Sequence, residues 1–181
     1  MAPTPQAEPA DTLEYERRLN AVFRRIHDAD SFDAALPHIE AEMLALLRAE
    51  RMTVYQRGRH NREIVSRFLT GNEVREIRVP VGPTSVAGFV ALTRESVLLD
   101  DVYNDAELQA IHPHLRFDRD VDARTGYRSR SMVVVPIMHG EVLLGVLQVL
   151  NRSDGGAFNR TDLGRAQDIA RIIGQIGRAH V

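Results

Sequence analysis

The sequence predicts an α+β domain. A central antiparallel sheet of about six strands carries helices from both chain ends on one face and a lobe of loops and short helices on the other. Three observations predict it. Apolar residues recur at helical spacing near both ends of the chain. Between the ends the spacing becomes alternating. Two nearly continuous apolar runs, residues 131–138 and 141–150, meet at His139-Gly140, as the arms of a central hairpin would.

The elements follow in order. Residues 12–28 form a first helix, with Leu19, Val22, Phe23 and Ile26 on one stripe. Asp30 and Ser31 are N-cap candidates for a second helix, with Asp33 three residues after Asp30 in a capping-box pattern. Its stripe is Phe32, Leu36, Ile39, Met43, Leu46 and Leu47. Pro37 falls inside this stripe, where it kinks the helix or marks its true first turn. Residues 52–57, 63–69 and 74–79 then read as a three-stranded meander, turning at 58–61 and at Thr70-Gly71-Asn72.

Thr84 or Ser85 caps a short helix through Val86, Phe89, Val90 and Leu92, and residues 97–99 form a short strand. Residues 102–130 are long and irregular, with one helical segment near 106–111. Such stretches in a compact domain are usually functional or mobile. After the apolar hairpin, Asn159 or Thr161 caps a last helix with Leu163, Ala166, Ile169, Ile172, Ile173 and Ile176 on its stripe. The expected organisation is a disordered leader over 1–11, one domain over 12–178 and a tail over 179–181. The early end after the last helix leaves open a stand-alone module or a piece of a longer protein.

Composition narrows the function. The 181 residues are 44% hydrophobic and 27% charged, ordinary for one globular domain. Formal net charge is -2 and the sequence pI about 6.4, which does not suggest a nucleic-acid or polybasic membrane-surface binder. The chain has no cysteine, so disulfides, thiolate catalysis and zinc-thiolate sites are excluded. No apolar run approaches the length of a membrane span, no signal peptide is recognisable, and a cytoplasmic location is expected. Acidic residues at 100, 101, 105, 118, 120 and 122 lack calcium-loop spacing, and no metal site is expected.

Several segments carry a family resemblance. Ala-Glu-Arg-Met-Thr-Val-Tyr at 49–55, Thr-Ser-Val-Ala-Gly-Phe-Val at 84–90, Thr-Gly-Tyr-Arg-Ser-Arg-Ser-Met-Val-Val-Val-Pro-Ile at 125–137 and Leu-Leu-Gly-Val-Leu-Gln-Val-Leu-Asn at 143–151 stand in the order and spacing of the GAF family. The likeness spans roughly residues 15–178. Asn151, Arg152, Phe158 and Asp162 further resemble the Asn-Lys…Phe-x-x-x-Asp-Glu pattern of cyclic-nucleotide-binding GAF domains. Arg replaces Lys, and Leu163 stands where those domains have Glu. The chain is also similar to N-terminal GAF extensions of some bacterial secretion and pilus-assembly ATPases.

The resemblance implies a regulatory, non-enzymatic module of bacterial signalling type. It binds a small molecule, with a cyclic nucleotide as the ligand class, and signals through its terminal helices to an output domain or partner. The alternative is a ligand-free dimerisation or docking module of a larger signalling or secretion assembly. The family's methionine sulfoxide reductases and bilin pigments depend on cysteines that are absent here. The candidate ligand-binding set is Thr84, Ser85, Phe89, Asp101, Phe117, Tyr127, Arg128 and Arg130. Phe89, Phe117 and Tyr127 supply walls, the helix start at Thr84-Ser85 offers backbone N–H groups, and Arg128 or Arg130 adds a charge-assisted donor. Arg152 and Asp162 are expected to pair, with bidentate geometry open to them, and to hold the site's shape. Val22, Ile26, Ile169, Ile173 and Ile176 are the expected homodimer contacts. His112 is a formal axial ligand for haem, with a surface role as its ordinary reading.

Overall fold

The computed structural model describes residues 9–70 and 73–177. The rest of the expected leader, the Gly71-Asn72 turn and the expected tail lie outside the described residues. Helices α1 (Pro9–Asp28) and α2 (Phe32–Leu47) come first. Residues 9–11 were expected in the leader but are helical. Proline at a first helical position loses no ladder hydrogen bond and has its φ preset for the helix. Ser31, rather than Asp30, caps α2, its hydroxyl accepting from the Ala34 N–H at 3.1 Å. Pro37 lies in the interior of α2, beyond its first turn. Arg48 closes the helix in the left-handed region, φ 52°, with its N–H directed to Ala45 and Leu44 carbonyls.

The strands are β1 (Ala49–Arg57), β2 (Glu63–Thr70), β3 (Glu73–Pro80), β4 (Val97–Leu99), β5 (Met132–His139) and β6 (Val142–Arg152). They form one sheet in the order β3-β2-β1-β6-β5-β4, antiparallel throughout. The meander and the final hairpin are as expected, but the hairpin is not the sheet centre. Its β6 edge takes β1 over Ala49 to Gln56, and its β5 edge takes only the three-residue β4. The middle pair is therefore β1 and β6. β2 pairs with β1 at only two positions, Gln56 with Val65 and Arg57 with Ile64, while β2 and β3 pair along eight. The β2–β3 hairpin thus leaves the sheet beyond Gln56.

Helices α3 (Val86–Thr93), α4 (Asp105–Ile111) and α5 (Asp120–Thr125) belong to the lobe, and α6 (Arg160–Gly177) returns to the sheet. α5 was read as irregular chain, because six residues carrying three charges show no apolar period. Along β5, Val133, Val135 and Ile137 enter the core under α1, α2 and α6, while Met132 and Val134 enter the core under the lobe. A strand covered on both faces reads as a continuous apolar run, and this is why the hairpin stood out in the sequence.

The terminal helices pack on one another and on the sheet. Val22, Ile26, Ile169, Ile173 and Ile176 are all at most 5% exposed and share a core cluster. This corrects the expected dimer contacts: those five side chains are buried within the single chain and present no surface to a partner. An apolar stripe reports that a helix face is covered, not what covers it.

Candidate ligand site

The lobe is closed by polar ties as well as apolar packing. Ser85 caps α3, its hydroxyl accepting from the Gly88 N–H at 3.1 Å. The Thr84 carbonyl accepts from the Arg116 N–H at 3.0 Å, joining α3 to the loop after α4. Phe89 is buried with its ring 5.9 Å from His112. Phe117 is half-buried with its ring 5.7 Å from Tyr103. Asp101 is exposed, its carboxylate accepting from the Tyr103 N–H at 2.9 Å.

Tyr103 and Asp122 form the lobe's inner knot. The Tyr103 hydroxyl donates to Asp122 Oδ2 at 2.6 Å, and the same carboxylate accepts from the Ser129 N–H at 2.8 Å and the Ser129 hydroxyl at 2.9 Å. The guanidinium groups of Arg128 and Arg119 lie 3.6 and 4.4 Å from the Tyr103 ring centre. Burial pushes the Asp122 carboxyl up. The donors from Tyr103 and Ser129 outweigh it, with the Arg128 charge, and hold it below the usual carboxylate range. The bond to Asp122 raises the Tyr103 phenol.

A second knot sits at the end of β6. Asn151 is fully buried and adopts φ 57°, a left-handed conformation that Asn tolerates better than most residues. Its carbonyl oxygen accepts from the Arg130 N–H at 2.6 Å. Its amide donates to the Arg128 carbonyl at 2.8 Å, the Tyr127 hydroxyl at 2.9 Å and Glu50 at 3.2 Å. Tyr127 in turn donates to Glu50 at 2.6 Å, and Arg51 stacks over its ring at 3.6 Å. Glu50 is held low chiefly by the Tyr127 hydroxyl. Burial, then the Glu50 carboxylate, push the Tyr127 phenol up to about 12.

The third tie is the expected pair. Arg152 Nη1 lies 3.5 Å from Asp162 Oδ2, and Phe158 is buried between their positions in the chain. The pairing is one contact rather than the bidentate form. Asp162 Oδ2 also accepts from the Asn159 N–H at 2.8 Å, and Asn159 returns the favour to the Asp162 N–H at 3.0 Å. Asn159, not Thr161, is therefore the cap, in a reciprocal capping box. Arg152 Nε approaches Asp154 at 3.2 Å without hydrogen-bond alignment. Leu163 packs against the helix-side core.

The eight sequence-predicted ligand residues thus divide. Phe89 and Phe117 line the lobe core, while Tyr127 and Arg130 join the Asn151 knot. Arg128 stacks on Tyr103, Ser85 and Asp101 stabilise local backbone, and Thr84 anchors the Arg116 loop. Sequence reasoning missed Glu50, Tyr103, Asp122 and Ser129, and gave Asn151 no contact of its own. It also missed the polar part of the sheet floor. Thr53 and Gln148 face each other across β1 and β6, half-buried, and share parity with the lobe-side residues Tyr55, Val146 and Leu150. Their signal was present: two polar residues breaking apolar alternation at paired positions.

Comparison with known proteins assigns the family. The model of the GAF domain matches residues 31–176. A probable 3',5'-cyclic phosphodiesterase pde-5 from Caenorhabditis elegans is 30% identical over 148 residues, covering 75% of this chain but 19% of the relative. The dual 3',5'-cyclic-AMP and -GMP phosphodiesterase 11 of Drosophila melanogaster is 37% identical over 89 residues, 48% of this chain and 5% of the relative. The chain therefore spans a small fraction of these relatives. The solved GAF domain of a phosphoenolpyruvate-protein phosphotransferase from Coxiella burnetii superposes with TM-score 0.71 at 17% identity, covering 94% of this chain and 95% of that one. Free methionine-R-sulfoxide reductase from Neisseria meningitidis shares the fold with TM-score 0.67 at 21% identity, covering 99% and 96%. With the family match covering most of its length, the chain belongs to the GAF domain family.

Proposed function

We propose that this domain is a non-enzymatic regulatory module that takes up a small molecule of the cyclic-nucleotide class on the lobe side of its sheet. The carrying observation is the adjacency of Asn151 and Arg152. Asn151 holds the lobe's return segment through Arg128 and Arg130, and Arg152 holds the first turn of α6 through Asp162. A ligand that orders the lobe bears on the first tie, and the second passes the change to a terminal helix. This needs only a ligand with different affinities for two arrangements of the lobe. Support for the ligand class comes from the cyclic-nucleotide phosphodiesterases among the relatives and from the Asn151, Arg152, Phe158, Asp162 pattern.

Thr53 and Gln148 offer polar groups on the floor. No helix among the described residues is long and apolar enough to cross a membrane, and we place the domain in the cytoplasm. Calorimetry with cGMP and cAMP, backed by thermal melting, tests the proposal. Saturable binding of either nucleotide supports it. Absence of heat and of any melting shift at millimolar nucleotide overturns it.

One observation favours a second reading. Phe89 packs against His112 and Phe117 against Tyr103 within the lobe, as in a docking or dimerisation module that folds without ligand. Sedimentation over a wide concentration range tests this. A homodimer there would use surfaces other than the five buried apolar residues of α1 and α6.

A further inference from the structure

A cleft of about 360 Å³ opens at the far end of α3, where the β1–β2 connection meets the β5–β6 hairpin. Leu92 and Val142 line it, 52% and 49% exposed, with Leu143 and Ala91 beneath them. Two large apolar side chains left half in water around one concavity are uncommon on a covered fold. Arg57 and Arg94 line the same cleft, together with one acidic residue, Glu141. The β1–β2 connection, beyond the residues that line the cleft, carries Arg59 and Arg62, both exposed, and residues 51–62 contain no acidic residue. Among the described residues the side chains of Arg57, Arg59 and Arg62 have no ion-pair or hydrogen-bond partner. Arg94 donates to the Glu141 backbone carbonyl at 2.7 Å, which holds its guanidinium group at the rim. The chain as a whole carries net charge -2, so this cationic rim does not reflect overall composition.

We propose that this cleft docks an extended acidic segment of a partner protein through one aliphatic anchor residue. The apolar floor receives the anchor, and the rim guanidinium groups meet carboxylates on either side of it. Arg is suited to this role because its planar fork can take a carboxylate at two points. The surface lies about 12 Å along α3 from the Thr84–Arg116 bond that joins this helix to the lobe. Docking here is separate from nucleotide uptake and does not depend on it.

The test is fluorescence anisotropy of the whole chain with three labelled heptapeptides at low salt: Glu-Asp-Glu-Leu-Glu-Asp-Glu, the same peptide with Ser for Leu, and the same peptide with Lys for every acid. The Leu peptide should bind at least about tenfold more tightly than the Ser peptide, and the Lys peptide should not bind. Raising salt should weaken the complex. Leu92→Ser should lower affinity, and the double variant Arg57→Glu, Arg94→Glu should transfer preference to the Lys peptide. All these side chains are exposed, and melting curves matching the parent certify the variants as folded. Equal binding of the Leu and Ser peptides, absence of binding by all three, or charge-reversed variants that keep the acidic preference would overturn the proposal. So would a concentration-dependent dimer in sedimentation that Leu92→Ser abolishes, since the occupant would then be a second copy of this chain.

Discussion

Asn151 ties together segments that lie far apart in the sequence. Its amide meets Glu50, 101 positions away, and its carbonyl oxygen serves Arg130. Removing it leaves buried donors and acceptors unpaired, at about 1–3 kcal/mol per group. Asn151→Ala should therefore cost roughly 2–4 kcal/mol in urea unfolding. Asn151→Gly should cost about 1 kcal/mol less, because glycine adopts φ 57° without the penalty alanine meets there. Equal losses in the two variants would show that backbone strain plays no part.

The ionisable groups of the knots give a pH dependence of fixed sign. Asp122 and Glu50 are both held below their unfolded values. They contribute stability above about pH 4 that is lost as pH falls through their folded values. Tyr127 works in the opposite direction. Its phenol is raised to about 12, so its contribution is present below about pH 10 and lost as pH rises toward 12. Urea midpoints measured from pH 2 to 7 should show a flatter acid limb for Asp122→Asn than for the parent. An unchanged slope would mean that Asp122 is not the group being titrated.

At the level of elements, α6 makes a sharp paired prediction. A Cβ on Gly174 would press into the Met138 carbonyl of β5, whereas a Cβ on Gly164 meets nothing within 4 Å. Gly174→Ala should destabilise by about 1–3 kcal/mol through overpacking. Gly164→Ala should stabilise by up to about 1 kcal/mol, because alanine loses less backbone entropy in a helix. Thermal unfolding of the two variants reads opposite signs on one helix. α1 is held to α6 by the Tyr15 hydroxyl donating to Asp168 at 2.9 Å, with Arg165 over the Tyr15 ring. The terminal helices therefore pack as one group rather than standing as independent arms.

For the whole molecule, the ties at Asn151 and Arg152 make the lobe and α6 two ends of one strand terminus. Under the proposed function, saturating nucleotide at about 100 times its dissociation constant should stabilise the fold by about 2.7 kcal/mol. For a domain of this size that raises the melting temperature by roughly 5–10 °C. Hydrogen exchange should then slow in the first turn of α6 in the parent. In Arg152→Ala the lobe should still be protected while α6 is not. Protection of α6 in both proteins would show that Arg152 does not carry the coupling.

Much of this fold was legible in the sequence for a physical reason. Helical and alternating periods mark which side of each element faces a core, so α1, α2, the meander, the final hairpin and α6 could be read directly. Helix caps are local, so Ser31, Ser85 and Asn159 stood among the residues considered. The Arg152–Asp162 pair was legible through the pattern of Asn151, Arg152, Phe158 and Asp162 and the resemblance it carries. What the sequence did not determine was what each face packs against. The stripes of α1 and α6 served an intramolecular core, and β1 joined β6 on the side away from β5, so that β1 and β6 became the middle pair of the sheet. The Glu50–Tyr127–Asn151 and Tyr103–Asp122–Ser129 knots were decided only by tertiary structure. Hydrogen bonds across 77 or 101 positions depend on chain paths that no local period records, and only the folded sheet brings those side chains within reach.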